Sequence, residues 1–190
     1  MPIQTSKPAN SLAVLWPDLA LVAFLIGLDV VARLLPHAPG FLPVAASGLF
    51  AARYLRLPAL AIVVPVLAMI LSDAMLPGED WRIQLVGFFA IAIPAVAGVA
   101  TRRWGGALLV VSTMIGSSIL FFLASNGAVW AFSGMYPLNL AGLTQCYVLA
   151  LPFLEKTMLG DLFWTGVLFG GAWAVNWAVQ NVPVLARRPH

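Results

Sequence analysis

The sequence predicts an all-α integral membrane protein: one transmembrane domain over residues 1–190, folded as a six-helix bundle with a short re-entrant or interfacial helix before the last span. Three observations carry this. Of the 190 residues, 62% are hydrophobic and only 9% are charged, with a mean hydropathy of +0.96. A soluble domain carries about a quarter charged residues, so too little polar surface remains here to face water all round, and a bilayer is the fitting solvent. Apolar runs of spanning length recur along the chain, and the basic residues stand in ones and twos between them, as membrane topology is written.

Taken in order, the spans fall at about 18–35, 43–56, 58–76, 82–101, 105–125 and 157–180. A crossing needs about 20 residues at 1.5 Å rise each, which all but one of these runs approach. The stretch 43–56 is shorter, rich in Ala and Gly, and ends in Arg53-Tyr54-Leu55-Arg56; its flanks require a crossing, so it is read as a short or tilted span. Leu57-Pro58 then opens the third helix, with Pro near the first-turn position it favours. Pro65 and Pro94 fall within spans and read as ordinary bends. Gly166 and Gly170 form a GxxxG step on the last helix that suits close packing inside the bundle.

Charge settles the segment 126–156. With six spans and the N-terminus inside, the cytoplasmic side holds Lys7, Arg53, Arg56, Arg102, Arg103, Arg187 and Arg188. The outer side holds Arg33, Arg82 and Lys156 together with Glu79, Asp80, Glu155 and Asp161. A seventh span would carry Arg187 and Arg188 outside, against the positive-inside bias. The apolar stretch 139–154 is therefore expected to fold back as a short helix. Both termini are expected in the cytoplasm, and Met1 to Ser11 lacks the pattern of a signal peptide.

Composition also excludes. A net charge of +3 and a pI near 9.5 come without a basic patch, so nucleic acid is not indicated. A single cysteine, Cys146, leaves no disulfide framework and no Cys-rich metal site. No Walker A, GxSxG, HExxH or CxxC motif is present, no cofactor is implied, and the protein offers no metal site of its own.

Ionisable groups within a bilayer each require an explanation. Asp29 and Arg33 lie one turn apart at the i, i+4 spacing that lets them pair. Asp73 follows Ser72 at the outer end of the third span, Asn126 closes the fifth, and Asp161 opens the sixth, where the helix dipole favours a carboxylate. Taken singly, these residues mark helix ends or neutralise one another; taken together, they share one level and suggest a binding vestibule. Trp81, Trp130, Phe132, Tyr136, Tyr147 and Trp164 map to the same outer half, as an interfacial belt or as walls for a flat ligand. Cys146 reads as a small packing residue, or as a soft ligand to a metal-bearing substrate. His37, between Pro36 and Pro39, reads as a residue of a rigid outer turn.

Several segments carry a resemblance: Arg33-Leu34-Leu35-Pro36-His37, Phe41-Leu42-Pro43-Val44, Ser72-Asp73, Phe121-Phe122-Leu123-Ala124-Ser125-Asn126 with Val129-Trp130, Tyr136-Pro137, Ala141-Gly142-Leu143-Thr144-Gln145-Cys146-Tyr147, Pro152-Phe153 and Gly160-Asp161. Over most of residues 30–170 the chain resembles a family of small bacterial membrane proteins, themselves similar to the substrate-binding S components of energy-coupling-factor (ECF) vitamin transporters. The resemblance implies a six-helix bundle in the bacterial inner membrane with an outer substrate cavity. It further implies docking on an ECF-type energising module through small residues of the first helix; Ala20, Ala23 and Gly27 are present here, without an Ala-x-x-x-Ala step. The BtuM-type solitary vitamin B12 transporters are a second likeness. Their cobalt-associated cysteine lies around the third helix and following loop, where this sequence has none, so Cys146 does not transfer.

The expectation is thus a membrane binding protein or transporter for a small molecule, a vitamin such as cobalamin or another corrinoid, entering from the outer side. Its partners are the substrate and the lipid bilayer. The site residues are Asp29, Arg33, Asp73, Trp81, Asn126, Trp130, Tyr136, Cys146 and Asp161. The alternatives are a membrane enzyme acting on a lipid or cofactor through Asp73, Asp161 or His37, and a structural subunit packing through Gly166 and Gly170.

Overall fold

A computed structural model of the chain describes residues 11–76, 78 and 80–181. Lys7, Glu79, Arg187 and Arg188, used above to orient the chain, lie outside the described residues, as does the N-terminal stretch 1–10. The described residues form helices and turns with no strand: α1 (Ser11–Leu34), α2 (Val44–Tyr54), α3 (Ala59–Asp73), α4 (Trp81–Ile91), α5 (Ile93–Ala100), α6 (Ala107–Phe132) and α7 (Leu140–Asn181). Four stretches, Leu15–Leu34, Trp81–Ala100, Ala107–Phe132 and Leu140–Asn181, are long and apolar enough to cross a bilayer. Large apolar side chains such as Phe24, Phe89, Leu108 and Trp173 stand exposed on them. Long apolar helices with apolar outer faces are the signature of a membrane protein.

The short helix α2 sits at the centre. Its 11 residues rise about 16 Å, and every residue from Val44 to Ala52 is buried. It packs against α1, α3, α5 and α7. Ala45, Ala46, Gly48, Ala51 and Ala52 keep its girth small, which lets neighbouring backbones close in. Contact is tightest at Gly98 of α5, where an added Cβ would lie 2.7 Å from Ala52 Cβ. Leu25, Leu49, Leu55, Val64 and Met114 fill the surrounding core without exposure.

Side-chain bonds fix the directions of the helices. Asp18 of α1 accepts from the backbone N–H of Arg56 just past α2, and Asp29 accepts from Ser47 near the start of α2, so α1 and α2 are antiparallel. Arg33 at the end of α1 reaches Ser72 and Asp73 at the end of α3, so these two run parallel. Arg53 at the end of α2 reaches Thr101 and Trp104 after α5. The bundle therefore has an Arg33 end and an Arg53 end.

Three expectations are corrected. The run 82–101 divides at Ala92 into α4 and α5, because Pro94 has no N–H and its ring crowds the carbonyl four residues back. The fifth span was read too short: α6 continues to Phe132, so Asn126 lies inside the helix rather than closing it. The separate folded-back helix at 139–154 does not exist. Residues 140–181 are one helix of 42 residues, about 63 Å long. Glu155 and Lys156, read as a boundary, are good helix formers, Pro152 is accommodated within the helix, and the chain turns instead at 133–139. Asp161 consequently sits deep inside α7 and gains nothing from a helix terminus.

Candidate functional site

At the Arg33 end, the last turn of α3 presents Met69, Ser72 and Asp73 on one face, three and four residues apart, as neighbours on a helix must be. Arg33 projects onto this face. Its Nε donates to Ser72 Oγ at 2.6 Å, one Nη donates to Asp73 Oδ1, and the other lies against Met69 Sδ. A thioether is a weak acceptor, so the guanidinium keeps donor capacity. Asp73 Oδ2 accepts from Gln84 Nε2 of α4 at 3.0 Å. Ser72 Oγ donates to Ala68 O at 2.8 Å, which orients its lone pairs toward Arg33.

The expected pairing of Asp29 with Arg33 does not occur. The i, i+4 spacing permits a pair on one helix, but Arg33 finds a bidentate polar face on α3, and Asp29 turns inward to α2. Asp29 is fully buried and accepts from Ser47 Oγ at 2.7 Å through Oδ1, and its Oδ2 has no partner among the described residues.

Two cavities meet at Arg33, Met69 and Phe121. The larger, of about 310 Å³, extends between α3, α4 and α6 past Asp73, Gln84, Gly87 and Ser125. The smaller, of about 120 Å³, extends over the start of α2 to Ser117, Ser118, Thr157 and Asp161. Small-molecule pockets begin at about 300 Å³, so together these suit a compact ligand. The turn between α1 and α2 closes the smaller cavity on one side. Gly40, at φ 77°, and Phe41 lie directly on α7, where a Cβ on Gly160 would stand 2.8 Å from Gly40 O and from Phe41 Cα. Phe41 and Phe163 pack across this contact, tilted by 39° with ring centroids 5.1 Å apart.

Asp161 is 4% exposed and accepts from Ser118 Oγ at 2.6 Å. Ser118 lies equally within reach of Met114 O at 3.0 Å.

Of the nine residues expected at a site, Arg33, Asp73 and Asp161 line the cavities, and Asp29 lines neither. The others do not gather. Trp81 is 69% exposed at the start of α4. Trp130 Nε1 donates to Pro137 O at 3.1 Å, and Tyr136 is partly exposed in the same turn. Asn126 Nδ2 donates to Phe122 O within its own helix, and Cys146 Sγ faces Asn126 O at 3.5 Å, away from both cavities. Trp130, Asn126, Cys146 and Tyr147, whose hydroxyl donates to Leu123 O at 2.6 Å, thus close the α6–α7 hairpin. His37 turns back on Leu35 O at 2.7 Å.

The sequence reading missed Met69, Gln84, Ser117, Ser118 and Thr157. A signal existed for three of them: Met69 shares a face with Ser72 and Asp73, and Ser117-Ser118 is a hydroxyl pair inside an otherwise apolar helix. Gln84 and Thr157 carry no such mark. Among the described residues no cluster of His, Cys, Asp or Glu could hold a metal ion.

Residues 14–185 match a family of unknown function, DUF6580. No curated protein and no solved structure matches the chain.

Proposed function

As this chain belongs to DUF6580, a family of unknown function, we propose from the site itself that it is a membrane binding protein or transporter for a small molecule. The ligand enters at the Arg33 end, which faces outward across the bacterial inner membrane. The observation that carries this reading is the pair of cavities joined at Arg33, which place a guanidinium and two carboxylates inside an apolar bundle. Intramembrane ionisable residues lining a cavity mark substrate or ion paths.

The orientation rests on charge. Arg53, Arg56, Arg102 and Arg103 cluster at one end, with Asp18 against Arg56, and the other end mixes Arg33, Arg82 and Lys156 with Asp73, Asp80 and Glu155. Positive residues favour the cytoplasm. The alternating helix directions suit six crossings with both termini inside, α2 and α3 being short ones. An S-component-like architecture, with or without an energising module, is supported by the sequence motifs. A corrinoid ligand is not: Cys146 is turned away from the cavities, which suit something smaller.

The test uses two glycines. Gly87 lines the larger cavity, and an added Cβ there meets nothing within 4 Å; Gly116 is equally free but exposed on α6. In proteoliposomes offered a panel of vitamins, amines and organic acids, wild type and Gly116→Phe should accumulate the same solute, and Gly87→Phe should not. A wild type that takes up and binds nothing, or a Gly87→Phe variant as active as Gly116→Phe, would overturn the reading.

A further inference from the structure

Charged side chains around the two cavities do not balance. Arg33, Asp73 and Asp161 are the only ones lining them among the described residues. Arg33 is already ion-paired with Asp73. Asp161 has no cation. Its Oδ2 takes the Ser118 hydroxyl, whose single proton Met114 O also attracts, and its Oδ1 has no hydrogen-bond partner among the described residues. A buried carboxyl keeps its charge only when paired and hydrogen-bonded. Asp29, equally buried, has no cavity beside it, whereas Asp161 lines one, where a positive charge beside Oδ1 would supply the pairing.

The chemistry of the walls says what kind of cation. Apolar residues, Leu42, Val44, Ala90, Ile91, Pro94 and Phe121 among them, make most of the lining. A hard metal ion takes about six oxygen ligands, waters among them, and would leave the aliphatic wall uncovered. An organic cation uses both parts: its N–H donors satisfy Asp161, and its carbon body covers the aliphatic wall. Phe121, which lines both cavities, adds an aromatic ring, a group that attracts cations.

Building on the binding reading above, we propose that the ligand is a small organic cation, an ammonium or amidinium on a compact apolar body, held with its N–H donors on Asp161 Oδ1 in the cavity between α2, α6 and α7. Arg33, with donor capacity left at the junction, then meets any anionic or carbonyl group that the ligand extends into the larger cavity.

Thermal shift on the purified full chain in mild detergent tests this with defined probes: isobutylammonium and benzylammonium against isobutanol and benzyl alcohol, in matched sodium chloride. The ammonium compounds should raise the melting temperature of the wild type and the alcohols should not. Asp161→Asn, which keeps shape and the Ser118 contact, should weaken ammonium binding at least about tenfold, the scale of one charge-assisted hydrogen bond. Gly116→Ala, on the exposed face of α6, should retain binding within a few-fold. Equal response to amines and alcohols in the wild type overturns the proposal without recourse to any variant. So does an undiminished ammonium response in Asp161→Asn, or a shift produced by sodium alone and lost in Asp161→Asn. If amines fail but Gly87→Phe still abolishes uptake of a neutral or anionic solute, the cation assignment falls and the transport reading stands.

Discussion

At the Arg53 end of the bundle, a guanidinium and a carboxylate tie down backbone. Arg53 donates to Trp104 O at 2.7 Å and reaches Thr101 Oγ1, fastening the turn after α5 to α2, and Asp18 accepts the Arg56 N–H at 2.9 Å, fastening the turn after α2 to α1. Leu25, Leu55 and Val64 pack the interior nearby without exposure. At the Arg33 end the same residue types bind one another: Arg33 with Asp73 and Ser72, Asp73 with Gln84, Asp161 with Ser118. Arg53 also leaves a buried Nε without a partner, so the difference is the cavities that lie beside the Arg33 cluster. Polar groups that close turns in a membrane bundle are structural, because an unsatisfied backbone group in hydrocarbon is costly. Polar groups that pair with each other beside open space are available to a ligand.

The largest test of this contrast is steric. Gly98→Leu drives a side chain into Ala52 Cβ, 2.7 Å away, and Leu49 Cδ1, 2.8 Å away. It should destabilise by about 3 kcal/mol or more, read as a lower midpoint in detergent denaturation. Gly87→Leu, at the open end of the same kinked segment, should be neutral or gain up to about 1 kcal/mol from helix propensity. Equal losses would mean that the Arg33 end is as tightly packed as the core.

Next is the ion pair. Arg33→Met leaves Asp73 with Gln84 alone and should lose about 3 kcal/mol. Adding Asp73→Leu should restore at least half of that stability and leave ligand binding abolished. If the double variant is no better than the single, the pair is not a unit.

A smaller effect is expected at the closed end. Arg53→Ala forfeits two hydrogen bonds from a charged donor at a partly exposed position and should lose about 1–2 kcal/mol. Binding should be unchanged; a fall in affinity would show that the two ends are coupled.

The smallest effect lies outside the spans. Asp80 caps α4 by accepting from the Arg82 N–H, and it also holds the Arg82 guanidinium, which lies over Phe132. These bonds, the guanidinium's first, hold its carboxyl down from 3.8 to about 2. A carboxyl depressed by folding contributes stability that is fully present above its unfolded value and lost as pH falls through its folded one. Wild type should therefore melt slightly above Asp80→Asn near neutrality, and the gap should close between about pH 5 and pH 2.

Much of this was legible before any coordinates. The apolar runs are local and long, so the helices and their bilayer setting follow from composition and spacing alone, including the short Ala- and Gly-rich piece that becomes α2. The end of the molecule where unusual polar residues collect was legible too, since charge position along alternating helices assigns each group to an end. Pairing was not. The spacing of Asp29 and Arg33 shows only that they could meet on α1, and whether they do depends on what α2 and α3 offer, namely Ser47 to one and Ser72 with Asp73 to the other.

The same division holds for the fold class. An all-helical chain suited to a membrane, with a polar end and a basic end, was determined by the sequence itself, because each of those properties is carried by residues close together along the chain. Tertiary packing alone decided that Asp161 sits mid-helix against Ser118, that Cys146 and Asn126 close a hairpin, and that two cavities meet at Arg33. Each depends on residues tens of positions apart, which local propensity does not constrain.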